Sequence, residues 1–244
     1  MKILRSRLFV SVIILLLTPS LSHTKPLVYT EHKSKSPYQL SLSCGKPSND
    51  SFKTIKEGHE TILYFKLQDG YDGRCRSDAK NKRERIEVKS GFLQINKLYK
   101  LSFDFKFQSD RILTDWHSIL QLKGNIYNFP LLKIQGNKND YLTVVSGDVE
   151  VQKSMKKREL ANVIQNGTWK NKWNKAYVEF YISKSKDSYI NVKINSTKYI
   201  KLGGPHYDKG KIYLKFGLYR NSGLKKKKKE YGQAELFIKN INLN

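Results

Sequence analysis

The sequence predicts an all-β protein, a sandwich of two antiparallel sheets packed face to face. Short segments in which apolar and polar residues alternate recur along the chain, and clusters of Gly, Asn, Asp and Ser separate them. The hydrophobic fraction of 39% supplies enough apolar side chains for a core between two such sheets. Because the 244 residues contain no internal repeat, we expect residues 23–244 to form a single domain.

The N-terminus has the three parts of a secretory signal peptide. A positive segment, Lys2–Arg7, precedes the apolar stretch Leu8–Leu17, and Ser20-Leu21-Ser22 has the small-x-small spacing of a cleavage site. The apolar stretch is too short for a membrane-spanning helix, which needs about 20 residues. We therefore predict that residues 1–22 are removed, that the mature protein is secreted or periplasmic, and that it has no membrane anchor.

The charge balance indicates an anionic partner. Lys and Arg number 46 against 21 Asp and Glu, which gives a formal net charge of +25. Such an excess creates a field that concentrates nucleic acids, anionic membranes and acidic polysaccharides alike. Export argues against a cytosolic nucleic-acid role, and an extracellular nuclease or DNA-binding toxin stays open as a minor alternative.

The two cysteines, Cys44 and Cys75, form an even pair in a chain predicted to be exported. Such a pair is typical of one disulfide, and two separate buried thiols are the alternative. The cysteines have no C-x-x-C spacing, and the five histidines have no metal-ligand spacing. We therefore expect neither a metal nor a cofactor.

Alternation is clearest over Tyr99–Gln108, where four apolar residues take turns with polar ones. Residues 177–182 and 189–194 repeat this pattern, which predicts strands with one buried and one wet face. Residues 23 to about 60 are interrupted by prolines and predict a lead-in with edge strands. Over Val151–Ile164 we expect a helix or helical turn that connects strands at the rim.

Three further strands carry chemically active side chains on their polar phase. In each strand the apolar phase points to the core, so the polar side chains share the opposite face. They are Arg83, Arg85 and Glu87 in the first strand, His117, Gln121 and Lys123 in the second, and Tyr213, Lys215 and Tyr219 in the third. If these strands are neighbours, the shared face can bind carboxylates and contains a candidate for proton transfer.

The same strands resemble a known enzyme family. Tyr213–Arg220 resembles the Y-x-K-x-G-x-Y-R strand of jelly-roll polysaccharide lyases, nearest to the glucuronan lyase and heparin lyase I group and more distantly to the alginate lyases. Arg85–Val88 is similar to their R-x-E-[LV] strand, and Trp116–Lys123 to their W-x-x-x-x-Q-x-H strand. The resemblance covers roughly residues 60 to 244 in the correct order. It implies a concanavalin A-like jelly roll with an open concave cleft.

What the resemblance implies for activity is β-elimination of a uronate-containing acidic polysaccharide. By the family pattern, Arg85 and Gln121 neutralise the sugar carboxylate, and Tyr219 serves as the acid and as a candidate base. Lys123 stands where the family has the His that can act as a base. The remaining candidates bind substrate: Arg83, Glu87, Lys215, His117, and His206 in the turn before the third strand.

Three functions therefore stay open at the level of sequence. The leading one is a secreted polysaccharide lyase, which we expect to be a monomer that binds no nucleic acid. The second is a lectin-like binder that kept the cleft but lost turnover when Lys123 replaced the family His. The third is an exported nucleic-acid or surface-adhesion protein that binds any polyanion through charge.

Overall fold

A computed structural model of the chain describes residues 24–43, 47, 50–68, 75, 77–78, 83–109, 116–126, 129–147, 160–164, 167–204, 206, 210–221 and 232–244. The predicted signal peptide, residues 1–22, lies outside these described residues. Within them, no helix is long and apolar enough to cross a bilayer.

Apart from residues 77–78, which are helical, the regular structure of the described residues consists of β-strands, which we number in chain order. They are β1 (Lys25–Pro26), β2 (Val28–Tyr29), β3 (Gln39–Leu42), β4 (Phe52–Glu57), β5 (Glu60–Leu67), β6 (Arg83–Ser90), β7 (Leu98–Ser109), β8 (His117–Gly124), β9 (Leu132–Gly136), β10 (Leu142–Ser146), β11 (Leu160–Ile164), β12 (Asn174–Tyr181), β13 (Tyr189–Ile194), β14 (Ile200–Gly203), β15 (Ile212–Asn221) and β16 (Ala234–Leu243).

The strands form two eight-stranded sheets. Sheet A has the order β14-β13-β12-β7-β16-β5-β4, with β1 also paired to β16, and sheet B has the order β11-β10-β9-β8-β15-β6-β3-β2. The central pairs of both sheets are antiparallel, whereas the edge strands β2 and β3 run parallel. The prediction of an all-β sandwich is therefore confirmed.

The core lies between the two sheets and is built from the apolar phase of their strands. Phe103, Phe105 and Phe107 of β7 are fully buried, as the alternation over this strand predicts. Phe103 meets Phe216 of β15 edge to face, with ring centres 5.4 Å apart, and so joins the two sheets. Because successive side chains point to opposite faces, the polar phase of the central strands lies on the outer face of each sheet.

The predicted helical segment Val151–Ile164 is wrong in the part that the structure describes. Leu160–Ile164, the end of the expected helical segment, is strand β11, which pairs antiparallel with β10. Residues 151–159 lie outside the described residues. The segment Leu160–Ile164 ends in the β-branched pair Val163-Ile164, which favours an extended backbone when a partner strand is available.

The predicted disulfide can be followed at one of its two cysteines. Cys75 is disulfide-bonded. Cys44 lies outside the described residues, so its pairing with Cys75 stays a prediction.

Candidate active site

The candidate site lies on the outer face of sheet B, where β6, β15 and β8 are adjacent. In the register of these strands, Arg85 lies opposite Tyr219, and Lys215 lies opposite Gln121. Their neighbours in sequence point to the core, as predicted. The buried residues beneath them are Ile86, Val88, Leu120, Leu122, Phe216 and Leu218.

Tyr219 is held between two arginines. The guanidinium carbon of Arg85 lies 4.1 Å from the centre of the Tyr219 ring, and Arg83 Nη1 donates a hydrogen bond of 2.6 Å to the Tyr219 hydroxyl. Trp116 packs edge-on against the same ring, with centres 4.9 Å apart. Burial raises the pKa of Tyr219, and the opposing effect of Arg85 and Arg83 does not reverse that direction. The hydroxyl is therefore protonated at neutral pH and can donate its proton.

The Glu87 carboxylate lies close to three donor side chains of the site. It accepts a hydrogen bond from the Gln121 amide and one of 2.5 Å from Lys215 Nζ, and Arg85 Nε lies 3.5 Å away. Glu87 and Gln121 are each 3% exposed. Because a buried charge must be paired, these contacts fix the positions of all three donor side chains.

Asp78 is a member of the site that the sequence did not reveal. Its Oδ1 accepts a hydrogen bond of 2.8 Å from Arg85 Nη2, so Arg85 is held by a carboxylate from outside the strands. Burial raises the pKa of Asp78, and the attraction of Arg85 works against this shift. No strand alternation marks the Ser77-Asp78 segment, so the sequence contains no signal that could have found it.

Lys123 lies at the same face, with its ammonium close to other cations. Burial, followed by repulsion from Lys215 and Arg85, lowers the pKa of Lys123 to about 8. Burial also lowers the pKa of Lys215, although the attraction of Glu87 opposes this. A pKa of about 8 gives Lys123 a neutral fraction near neutral pH, whereas Lys215 is ion-paired with Glu87. It lies opposite Tyr213 in the paired strands.

Gly217 allows β15 and β6 to approach each other between Lys215 and Tyr219. Its φ of +133° lies in the region that favours glycine, and a Cβ atom at this position would lie 2.3 Å from the carbonyl oxygen of Ile86. Any other residue would therefore push the two strands apart.

The prediction that His117 faces the site is wrong. The register of β8 against β9 shifts between Ser118 and Leu120, which inserts one extra residue, Ile119. The shift reverses the phase of the strand, so His117 points into the core and packs edge-on against Phe107 at 5.7 Å. Burial and the charge of Arg220 hold the pKa of His117 well below its usual 6.5. His117 is therefore a neutral core residue.

A buried ion pair lies on the inner side of the same strands. Arg220 Nε donates a hydrogen bond of 2.6 Å to Glu84 Oε2, and both side chains are at most 2% exposed. Arg220 also donates to the carbonyl oxygen of Gly232 at 2.9 Å. Alternation along the strands indicates that both residues are buried, since Glu84 shares the core phase of Ile86 and Arg220 shares that of Leu218.

The prediction that His206 binds substrate is also corrected. His206 is fully buried, and its Nδ1 lies 2.9 Å from the hydroxyl of Ser188. Ser188 precedes β13 in sheet A, whereas the candidate site lies on sheet B. The chain between β14 and β15 crosses from one sheet to the other, and His206 packs at the side of sheet A.

The described residues offer no group of three or more His, Cys, Asp or Glu side chains that could hold a metal ion. The candidate site contains acids, bases and hydrogen-bond donors of its own. It combines a protonated phenol, a lysine of lowered pKa, and cationic and amide donors around a carboxylate.

Comparison with known proteins places this arrangement in context. Residues 39–242 match the sequence profile of a family described as polysaccharide lyase. A search of curated protein sequences gave no significant match.

Several solved structures share the fold. An endo-β-1,4-glucuronan lyase from the fungus Trichoderma reesei superimposes with a TM-score of 0.60 at 13% identity, over 83% of this chain and 90% of that one. An alginate lyase from Klebsiella pneumoniae gives 0.57 at 9% identity, over 82% and 86%. The alginate lyase AlgAT5, from polysaccharide lyase family 7, gives 0.55 at 15% identity, over 82% and 84%.

Proposed function

This chain belongs to the polysaccharide lyase family, and from that premise we propose that it cleaves a uronate-containing acidic polysaccharide by β-elimination. The proton to be removed is on C5 of the sugar, next to the carboxylate. It is too weakly acidic to be lost unless the carboxylate is neutralised and the developing enolate charge is stabilised. The outer face of sheet B offers groups for each of these tasks.

Neutralisation of the sugar carboxylate is assigned to Arg85 and Gln121, with Lys215 beside them. Their side chains are already positioned by Glu87 and Asp78. Donors that are fixed before substrate arrives stabilise a developing charge without reorganising during the reaction. Arg83, which binds the Tyr219 hydroxyl, adds a further positive charge to the same region.

Removal of the C5 proton is assigned to Lys123. A lysine of ordinary pKa is a cation at neutral pH and cannot accept a proton, but a pKa of about 8 gives Lys123 a neutral fraction there. The family has a His at this position, and burial together with the surrounding cations lowers the pKa of the lysine so that it can take this role. This lowered pKa of Lys123, on the same sheet face as a protonated Tyr219, is the observation that carries the proposal.

Protonation of the leaving group is assigned to Tyr219. When Lys123 Nζ takes the C5 proton, the electron pair of that bond forms a double bond between C4 and C5. The bond from C4 to the bridging O4 then breaks, and O4 takes the proton of Tyr219 while it stays bonded to the neighbouring sugar. One product therefore has an unsaturated sugar at its end, and the other has a new reducing end.

We further infer that the protein acts as a monomer outside the cytoplasm. Its N-terminal pattern is that of an exported chain, and extracellular or periplasmic space is where large acidic polysaccharides are encountered.

The test is a panel of uronate polymers that begins with glucuronan and alginate and includes a heparin-like chain. Formation of the unsaturated product is followed by its ultraviolet absorbance. We expect absorbance to rise on at least one polymer with the wild-type protein and not with Tyr219→Phe. If wild type forms no unsaturated product on any uronate polymer, the proposed reaction is wrong.

A further inference from the structure

The outer face of sheet A, on the opposite side of the sandwich from the candidate active site, carries exposed aromatic rings with lysines beside them. We call it the rear face and define it by seven residues that lie in, or directly before, strands of sheet A. They are Lys106, Trp173, Lys175, Tyr177, Lys193, Tyr199 and Lys239. No part of the mechanism proposed above uses them.

The three rings are unusually open to solvent. Trp173 and Tyr177 are each 37% exposed, and Tyr199 is 52% exposed. Single exposed aromatic residues are common, but several on one face of a sheet are typical of a surface that binds a ligand. A sheet face of this kind can receive an extended chain lying flat on it.

Every ring has at least one ammonium group beside it. Lys239 Nζ lies 4.7 Å and Lys106 Nζ 5.6 Å from the centre of the Trp173 ring. Lys175 Nζ lies 5.5 Å from Tyr177. The same distance separates Lys193 Nζ from Tyr199. These contacts hold each cation over an aromatic ring.

Carboxylates neutralise only part of this charge. Glu60 pairs with Lys239 at 2.6 Å, and Asp104 lies opposite both Lys175 and Lys239 in the sheet register. Across the described ranges of the chain, no carboxylate lies within salt-bridge distance of the Lys106, Lys175 or Lys193 ammonium. Three cations are therefore available to an anionic ligand.

The rear face is also long enough for a polymer. It extends from Lys239 on β16 across β7, β12 and β13 to Tyr199 before β14. At about 4.8 Å for each step between strands, these five strands span roughly 19 Å. Tyr177 and Lys193 lie directly opposite each other on β12 and β13, so a ring and a cation are adjacent in the middle of this face.

We infer that the rear face is a second binding site for an acidic polysaccharide, separate from the site of cleavage. The inference rests on the proposed function, because the ligand is the same class of polymer. The rings offer flat apolar surfaces for the C–H faces of sugars, and the adjacent lysines offer partners for their carboxylates. A nucleic acid held only by charge would be bound through the lysines without need of the rings.

The test compares the wild type with a rear-face variant, Trp173→Ala/Tyr177→Ala/Tyr199→Ala. Val28→Ala serves as the matched control, since Val28 is 59% exposed but lies on edge strand β2 of sheet B. Binding to long glucuronan or alginate is measured by affinity electrophoresis, with double-stranded DNA as the comparison polyanion. Turnover is measured in parallel on the long polymer and on a short oligosaccharide cut from it, and thermal unfolding shows that each variant folds.

We expect the rear-face variant to bind the long polymer about tenfold more weakly, a change of 1.4 kcal/mol, with the same turnover of the short oligosaccharide as wild type. Val28→Ala should match wild type in both measurements. Unchanged binding of the long polymer by a folded rear-face variant would overturn the inference, and so would an equal loss of DNA binding. If no polymer is cleaved but the variant still binds it more weakly than wild type, the proposed function fails and the rear-face site stands.

Discussion

Arg85 lies against the face of the Tyr219 ring, with its guanidinium carbon 4.1 Å from the ring centre. The two residues are direct neighbours across β6 and β15, so the group proposed to bind the sugar carboxylate and the group proposed to protonate the leaving oxygen are in contact. Loss of Arg85 should therefore affect both binding and turnover, whereas loss of the Tyr219 hydroxyl alone should affect turnover.

Arg85→Ala should weaken both polymer binding and turnover. Removal of one donor to a developing negative charge typically lowers kcat by on the order of 10²–10³, and here Asp78 also loses its partner. Steady-state kinetics on the best polymer of the panel will measure the effect. Arg83→Ala, which removes a cation that donates to the Tyr219 hydroxyl, should be clearly milder, and an equal loss in the two variants would contradict the assigned roles.

Tyr219→Phe should abolish turnover and leave polymer binding nearly unchanged. The substitution removes one hydroxyl and no cation, and loss of a general acid costs typically 10²–10⁴ in rate. Tyr189→Phe is the control, because that hydroxyl contacts Glu179 in sheet A. Retention of most of the activity in Tyr219→Phe would show that another group protonates the leaving oxygen.

The pH profile of kcat/KM should rise through a pKa of about 8, the value of Lys123. A base works only in its neutral form, so activity is low below this pH and reaches a plateau above it. Lys123→His should keep activity and move the rise toward a pH of about 6.5. Lys123→Arg should be inactive at every pH, since arginine keeps its proton. A profile of Lys123→His that rises at the wild-type pH would assign the base to another residue.

Glu84→Gln should destabilise the fold strongly. The change removes the Glu84 carboxylate from the buried Arg220 guanidinium, and breaking a buried ion pair costs about 3–5 kcal/mol. Urea unfolding will measure the difference in the free energy of unfolding. Lys100→Gln, which breaks the exposed pair with Glu179, should change it far less. A cost below about 1 kcal/mol for Glu84→Gln would mean that the pair is dispensable.

His117 should make the protein less stable in mild acid. Burial and Arg220 hold the pKa of His117 well below 6.5 in the folded chain, whereas an unfolded histidine titrates near 6.5. Below that pH the unfolded chain binds a proton that the folded chain does not, so the stability contributed by neutral His117 is complete above about pH 6.5 and falls as the pH decreases. In His117→Gln this part of the pH dependence of the free energy of unfolding should disappear. Parallel pH dependences of the two proteins would contradict the neutral state of His117.

Alternation along the strands predicted much of the site. It placed Arg85, Gln121 and Tyr219 on the outer faces of their strands, because alternate side chains of a strand point the same way whatever its partner strands are. It failed at His117, since the register shift after Ser118 depends on how β8 meets β9. Such a shift of one residue leaves no mark in the sequence of the strand itself.

Alternation could not predict three other features: the Asp78 contact, the Glu84–Arg220 pair and the lowered pKa of Lys123. Asp78 reaches Arg85 from a segment without periodicity, so only the folded chain reveals the contact. Alternation places Glu84 and Arg220 on the core phase of their strands, but only the β6–β15 register shows that they lie opposite each other. The lowered pKa of Lys123 likewise depends on burial and on cations from two other strands.

The position of Glu87 has a consequence for product release. The Glu87 carboxylate already contacts Gln121, Lys215 and Arg85. Because Glu87 is part of the chain, its effective concentration is high, and a sugar carboxylate must compete with it for the same donors. This competition lowers the affinity for substrate and product in their ground states. The greater negative charge of the enolate-like state still interacts with the same donors. We therefore expect an enzyme that releases its fragments readily and is inhibited little as they accumulate.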